Sequence, residues 1–150
     1  HGIIVEGLSN CLVKFSKCCS PVPGDDIVGF ITRGYGVSVH RADCPNVLRS
    51  RDNPAEAGRW IRVSWADKTS EEYHTMLQVV AKDRISLIVD VSTVLSATKT
   101  RVLSLNARST PDGFALLDLG IAVSGRDQLK TVTSRLEQIQ GVMKVTRPAG

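Results

Sequence analysis

No apolar run in the 150-residue sequence is long enough to cross a bilayer, and no basic segment near its start leads into an apolar one. We therefore expect a cytoplasmic protein with no membrane partner. The sequence also lacks a glycine-rich phosphate loop with its lysine, a His-Glu-x-x-His pair and a dinucleotide-binding fingerprint. Because these catalytic signatures are missing, we expect the chain to be non-catalytic.

Hydrophobic residues make up 42% of the sequence and charged residues 23%, which is typical of a soluble globular chain. The length leaves room for two small domains. Domains well under about 100 residues gain little stability from burial alone. We therefore expect each half to need a metal ion, a partner subunit or contact with the other half.

The first half, residues 1–66, is expected to be a small β-rich module with a short helix. Glycine and proline clusters, including Gly34-Tyr35-Gly36, separate short strand-like runs. Asp43 is the expected N-cap of the helix, since Pro45 favours its first turn. The predicted strands are Leu12–Ser16, Ile27–Thr32, Val37–His40 and Trp60–Trp65, and the predicted helix is Pro45–Arg51.

A polar run at residues 67–72 is the expected linker to a second module at residues 73–150. Apolar residues there alternate with polar ones in two of four strand-like segments and recur at helical spacing in two others. The order βαββαβ predicts a ferredoxin-like α+β fold, with an antiparallel sheet and both helices on one face. The predicted strands are His74–Ala81, Leu103–Ala107, Ala115–Val123 and Val142–Val145, and the helices run from Leu87 to Leu95 and from Leu129 to Ile139.

The third strand of the second module also carries apolar residues on its other face. Phe114, Leu116 and Ala122 lie there beside Asp118 and Gly120. This face is more apolar than a wetted sheet face should be. We therefore predict that the second module forms a homodimer.

The residues that carry chemistry in the first module are Cys18, Cys19, His40 and Cys44. In a reducing compartment cysteines are thiols or metal ligands rather than disulfides, and this ligand set is one that tetrahedral zinc prefers. The His40–Cys44 interval matches a common ligand spacing. Adjacent cysteines, however, face opposite sides of a strand unless the backbone bends sharply.

Zinc bound by these four residues is therefore one interpretation, and two others stay open. The cysteines could be small core residues beside a hydrogen-bonded His40. A Cys/His pair could also act as a nucleophile and its base.

Every basic residue from position 33 to position 62 is an arginine. Arginine forks bind phosphate oxygens in pairs, which favours a nucleic-acid surface. A solvated surface without a partner is the alternative. The arginines of this segment are Arg33, Arg41, Arg49, Arg51, Arg59 and Arg62.

Three motifs together resemble the conserved-cysteine module of long Rel/Spo homologues. They are Cys18-Cys19-Ser-Pro-Val-Pro-Gly-Asp, Val28-Gly-Phe-Ile-Thr-Arg-Gly-Tyr-Gly-Val and His40-Arg-Ala-Asp-Cys44-Pro-Asn. The resemblance covers residues from about Val5 to Ser50. Residues Tyr73 to Thr146 resemble the ACT domain of the same family through Asp83-Arg84-Ile85-Ser86-Leu87.

The resemblance implies a regulatory region of a stringent-response enzyme, which controls catalytic domains of its parent chain that make and hydrolyse (p)ppGpp. In that family the cysteine module, called a zinc-finger or ribosome-intersubunit domain, contacts ribosomal RNA and A-site tRNA. The family's Cys-Cys and His-x-x-x-Cys motifs fall on the four zinc candidates. The residues expected to face RNA are Arg33, Arg41, Arg49 and Arg51.

ACT domains bind amino acids where the first strand meets the first helix, often between two subunits. The resemblance places this site at Asp83, Arg84, Ile85, Ser86 and Leu87, with Asn106 on the neighbouring strand. Amides at a helix N-terminus would hold a carboxylate, and the expected ligand is a small apolar amino acid such as valine or isoleucine.

Ser86 stands where the usual ACT motif has glycine, which leaves less room for a ligand to approach the backbone. The alternative is a purely structural, zinc-stapled dimerisation region that senses no ligand.

Overall fold

The computed structural model describes residues 2–7, 11–34, 36–66 and 71–149. The chain divides into two compact units: the first comprises His1–Glu71 with Ala149–Gly150, and the second comprises Glu72–Pro148. The predicted turn residue Tyr35 and residues 67–70 of the predicted linker lie outside the described residues. Each unit contains both helix and strand, so the predicted α+β class is confirmed.

The first unit combines short strands with a short α-helix. The elements are β1 (Ile3–Val5), β2 (Val13–Phe15), β3 (Ile27–Ile31), β4 (Val37–Arg41), α1 (Pro45–Arg51), a 3₁₀ turn (Ala57–Arg59), β5 (Trp60–Ile61) and β6 (Val63–Trp65). One sheet has the order β2-β4-β3-β5, and β1 pairs with β6 in a second sheet. β2 runs parallel to β4, and the other neighbours are antiparallel.

The predicted strand Trp60–Trp65 is divided in the structure. β5 pairs with Gly29 and Phe30 of β3, whereas β6 pairs with β1 in the other sheet. The chain therefore changes sheets at Arg62, and the prediction of one continuous strand is wrong. The alternating sequence pattern does not reveal this change, because both residues of β5 are half-buried and β6 resumes the alternation at Val63.

The two faces of the four-stranded sheet have different partners. Val37 and Val39 of β4 are buried on one face with Ile3 and Val63. Because side chains alternate along a strand, His40 lies on the opposite face. There, Cys19, Cys44 and Val47 of α1 form a second buried cluster. The cysteine face of the sheet is thus covered by α1.

α1 begins at Pro45 with Cys44 as its N-cap, so the prediction of Asp43 as the cap is wrong. The Asp43 carboxylate instead accepts hydrogen bonds of 3.0 and 2.8 Å from the Arg41 guanidinium. Proline needs no hydrogen-bond acceptor for its nitrogen at the first helical position. The last cysteine of the chemistry-bearing set therefore lies at the start of the helix.

The second unit has the predicted βαββαβ order. Its elements are β7 (Tyr73–Lys82), α2 (Leu87–Ala97), β8 (Arg101–Ser109), β9 (Phe114–Val123), α3 (Arg126–Glu137) and β10 (Val142–Thr146). They form an antiparallel sheet in the order β10-β7-β9-β8. Alternate residues are buried along β7 and in the first part of β9, whereas the last four residues of β9 are all buried, and each helix buries one stripe. The ferredoxin-like prediction is confirmed.

Edge strand β8 is exposed along its whole length, although it carries Val102, Leu103 and Leu105. The β9 face predicted to form a dimer is less open, since Ala122 is buried and Leu116 is half-buried. The apolar strand surface open to a partner therefore lies on β8. Within the described part of the chain, no helix combines the length and apolar character that crossing a bilayer requires.

Candidate metal centre

Cys18 and Cys19 lie in a turn that directly follows β2. The Ser20 N–H donates to the Ser16 carbonyl at 2.9 Å, and Ser20 has a φ of 47° in the left-handed region. This turn replaces the extended backbone that would send adjacent side chains to opposite sides. The backbone therefore bends sharply enough for both thiols to reach the same cluster.

His40 and Cys44 come from β4 and from the turn that follows it. His40 precedes the turn on the cysteine face of the sheet, and the Cys44 N–H donates to the Arg41 carbonyl at 3.0 Å. This tight turn brings the Cys44 thiol back beside the imidazole. The parallel pairing of β2 with β4 thus brings together two pairs of cluster residues that are distant in sequence.

The four potential ligand atoms lie within 4.8 Å of one another. Cys18 Sγ is 3.4 Å from His40 Nδ1, 3.5 Å from Cys44 Sγ and 3.8 Å from Cys19 Sγ. Cys19 Sγ is 3.8 Å from His40 Nδ1. With Zn–S bonds of about 2.3 Å, the edge of a regular tetrahedron is about 3.8 Å. The donor types and their spacing therefore fit one tetrahedral zinc ion.

The imidazole of His40 is held through its other nitrogen. Nε2 lies 3.2 Å from Ser16 Oγ, so the hydroxyl can accept the Nε2–H and leave Nδ1 free to bind a metal ion. The ring also contacts Trp60, with centroids 5.7 Å apart. Hydrogen bonds of this kind fix the tautomer and orientation of ligand histidines.

Ser16 and Trp60 are parts of this site that no sequence pattern predicted. Ser16 reaches His40 only because β2 pairs in parallel with β4, and no spacing rule reveals that pairing. A polar residue next to a ligand pair is a weak signal by itself, since serine is common in turns.

Burial raises the pKa of the Cys19 thiol to about 12, although the Arg41 N–H donates to its sulfur at 3.3 Å and opposes the rise. Burial also lowers the pKa of His40, which keeps the imidazole neutral and able to bind a cation. At Cys18 burial acts to raise the pKa, but hydrogen bonds, first among them that with Asn46, outweigh it and lower the pKa. The Cys18 thiol is thus more readily deprotonated than the Cys19 thiol, and a bound cation would favour the thiolate form of both.

The residues predicted to bind an amino acid lie at the junction of β7 with α2 and on β8. Ser86 is the N-cap of α2 and has a φ of 72°. The Asp83 carboxylate accepts a hydrogen bond of 2.7 Å from the Ser109 hydroxyl. This contact ties the junction to β8, the strand that carries Asn106.

Arg84 closes one side of the same junction. Its guanidinium donates to the Gln140 carbonyl at 3.0 and 3.1 Å and pairs with the Asp90 carboxylate at 2.7 Å. Leu87 is buried, whereas Ile85 is 93% exposed. Ile85 therefore adds an exposed apolar side chain to the junction.

The arginines predicted to face RNA differ in their surroundings. Arg33, Arg49 and Arg51 are exposed. The Arg41 side chain is only 13% exposed and pairs with Asp43 at 2.8 Å. Arg41 is thus already paired within the protein. The two exposed arginines of α1, Arg49 and Arg51, lie close in sequence to the cysteine cluster.

Comparison with known proteins gives matches to both units. Residues 3–66 match the RelA/SpoT RIS domain model, and residues 69–147 match an ACT domain model. A GTP pyrophosphokinase of Escherichia coli is 38% identical over 149 residues, which cover 99% of this chain and 20% of that protein. The bifunctional (p)ppGpp synthase/hydrolase RelA of Mycobacterium tuberculosis is 37% identical over 146 residues, covering 97% of this chain and 19% of that protein.

A crystal structure of the ACT domain from the GTP pyrophosphokinase of Chlorobium tepidum aligns with a TM-score of 0.46 and 25% identity, over 51% of this chain and 97% of that one.

The matched domains define a regulatory module in which an ACT domain follows a RIS domain. The chain belongs to the RelA/SpoT family, as its motifs predicted, and it corresponds to the RIS and ACT domains of GTP pyrophosphokinases. It spans about a fifth of the length of the curated relatives that it matches.

Proposed function

We propose that this chain is a binding and sensing region of a cytoplasmic (p)ppGpp synthetase/hydrolase. In this proposal residues 1–66 bind ribosomal RNA and A-site tRNA, residues 67–72 link the modules, and residues 73–150 bind an amino acid. Occupancy of the two modules regulates catalytic domains elsewhere in the parent chain by shifting their conformational equilibrium. Zinc bound by Cys18, Cys19, His40 and Cys44 orders the first module.

The observation that carries the RNA proposal is the position of Cys44. It is both a member of the cysteine cluster and the N-cap of α1, and α1 carries exposed Arg49 and Arg51. A metal ion held at Cys44 would therefore fix the start of a helix with two guanidinium groups on its surface. Fixed guanidinium groups bind phosphates with little loss of side-chain entropy.

Fluorescence anisotropy with a labelled ribosomal RNA hairpin tests this function. We expect affinity to fall with salt concentration, and the Arg49→Gln/Arg51→Gln variant to reduce the log–log slope by about 1.4 to 1.8, because each lost phosphate contact removes about 0.7 to 0.9. The matched control, Arg126→Gln/Lys130→Gln, removes two exposed charges from α3. Equal slopes in the two variants would contradict the assignment of α1 to the RNA surface.

The amino-acid proposal is supported by exposed apolar residues at the start of α2. Ile88 and Val89 are 48% and 63% exposed beside the more exposed Ile85, and they adjoin the helix N-terminus, where amides favour a carboxylate. Calorimetry with valine and isoleucine should show saturable binding, which Ile88→Lys should weaken. Lysine, a control ligand with a charged side chain, should not bind.

A purely structural dimer is the second candidate function. Two observations favour it: Arg84 already fills one side of the ligand junction, and edge strand β8 is exposed with apolar residues on it. An unpaired strand edge is a template for pairing with another copy. If this candidate is correct, light scattering gives a dimer that Leu105→Lys dissociates, and no amino acid shifts the unfolding temperature.

A further inference from the structure

A pocket of about 320 Å³ lies in the first unit, where the chain leaves the four-stranded sheet. β5 pairs with β3 only at Gly29 and Phe30, and Arg62 then departs toward the other sheet. The pocket lies beside Val28, and Val47 and Arg51 of α1 also line it. The volume is at the lower end of the range for ligand sites, so the pocket accommodates one small ring system.

The interior of this pocket is apolar and its charged residues are all cationic. The lining includes Val28, Val47, Trp60 and Ile61, together with Arg51 and Arg62. None of the described residues that line it is acidic. The chemistry therefore fits a flat, weakly polar group that carries negative charge at its margins.

The indole of Trp60 is held in place before any ligand arrives. Its Nε1–H donates to Ser50 Oγ at 3.2 Å, and its ring meets those of Phe30 and His40 with centroids 4.7 and 5.7 Å apart. A ring restrained on several sides loses little further freedom when another ring stacks on it. Trp60 is thus a restrained aromatic side chain at the pocket.

Neighbouring carboxylates do little to neutralise the two arginines. The Glu6 carboxylate lies 3.8 Å from Arg62, but both side chains are largely exposed, at 68% and 85%, and such pairs are weak in water. The Glu56 carboxylate is engaged by the Ser50 hydroxyl. The guanidinium groups of Arg51 and Arg62 are therefore available to an anionic ligand.

We propose that this pocket binds one unpaired nucleobase of an RNA, which stacks on Trp60 while the flanking phosphates contact Arg51 and Arg62. The proposal rests on the RNA-binding function above and deepens it by naming the element recognised. Unpaired bases stack on aromatic side chains in sequence-tolerant recognition, and arginine forks hold the adjoining phosphates. Regular duplex RNA would not fill the pocket, because its bases are stacked inside the helix.

Three RNA hairpins of the same stem test the proposal on the unmodified chain. One is fully paired, one has a single bulged adenosine, and one has an abasic residue in the bulge. We expect the bulged hairpin to bind about tenfold more tightly than the other two, which is the ratio expected from stacking one base. Equal affinity for all three would overturn the pocket proposal while leaving RNA binding intact. Failure of all three to bind would refute the RNA function itself.

A spectroscopic measurement locates the bound base. In a Trp65→Phe variant Trp60 is the remaining tryptophan, and the bulged hairpin should quench its fluorescence whereas the abasic one should not. Arg51→Gln/Arg62→Gln should weaken binding, and Arg126→Gln/Lys130→Gln should leave it unchanged. Quenching by a phenylalanine-containing acidic peptide, with none by RNA, would assign the pocket to a protein partner instead and overturn the proposal.

Discussion

Ser16 orients the imidazole of His40 although it supplies no ligand atom of its own. Replacing it by alanine in Ser16→Ala should weaken zinc affinity by about 10-fold to 100-fold, since hydrogen bonds to ligand histidines contribute that much. Competition with a chromophoric chelator measures the effect. The matched control is Ser38→Ala, which removes a hydroxyl 3.3 Å from Ser16 Oγ. The orienting role is refuted by identical affinities in the wild type and Ser16→Ala.

Gly29 gives a second prediction at the scale of one residue. A Cβ at this position would lie 2.7 Å from Val63 Cγ1 and 2.9 Å from Val37 Cγ1. Gly29→Ala should therefore lower the free energy of unfolding of the first unit by about 1 to 3 kcal/mol through overpacking. Thermal denaturation measures the loss. Gly58→Ala, whose Cβ would meet no atom within 4 Å, should cause little change.

Side-chain type predicts the members of the cysteine cluster but not the residues that support it. Thiols and an imidazole are rare enough in a short segment to attract notice, and their chemistry restricts what they can do together. Ser16 and Trp60 have many ordinary roles, and only the pairing of β2, β4, β3 and β5 brings them to His40. Residue identity was therefore informative for the ligand set and uninformative for its surroundings.

At the scale of elements, the N-cap residue of α2 has a strained backbone conformation. Ser86 has a left-handed φ of 72°, a conformation that costs a non-glycine residue about 1 kcal/mol. Ser86→Gly should therefore raise the free energy of unfolding of the second unit, as followed by chemical denaturation. The matched control is Ser92→Gly within α2, which should lower it by about 0.5 kcal/mol through poorer helix propensity. A destabilised Ser86→Gly variant would contradict this reading of the turn.

The regularity of an element decided how well the sequence predicted it. Long strand-like runs located β7 and β9, because β7 buries alternate side chains over ten residues and β9 does so from Phe114 to Leu119. The helix predicted to reach Ile139 ends at Glu137. The residues that follow form a turn that leads to Gly141, which has a φ of 91°. Short elements such as β5 and β6 escape prediction because pairing partners, not local pattern, determine where they divide.

At the scale of the whole molecule, the cysteine cluster belongs to the first unit alone. Chelation of zinc should therefore accelerate amide exchange in β4 and α1, as followed by hydrogen-exchange mass spectrometry. Amides of β7 and β9 serve as the internal reference and should be unaffected, because their core contains no metal ligand. Equal acceleration in both units would contradict the assignment of the metal to the first unit.

The cysteine cluster also has a consequence for the chain before it folds. All four cluster residues lie between positions 18 and 44, so an ion captured by the nascent or denatured chain would join the two ends of a segment of moderate length. A cross-link of that span stabilises the folded state by about 3.5 kcal/mol, because it lowers the conformational entropy of the denatured ensemble. Zinc supply during synthesis would then influence how fast, and how completely, the RIS domain reaches its native topology.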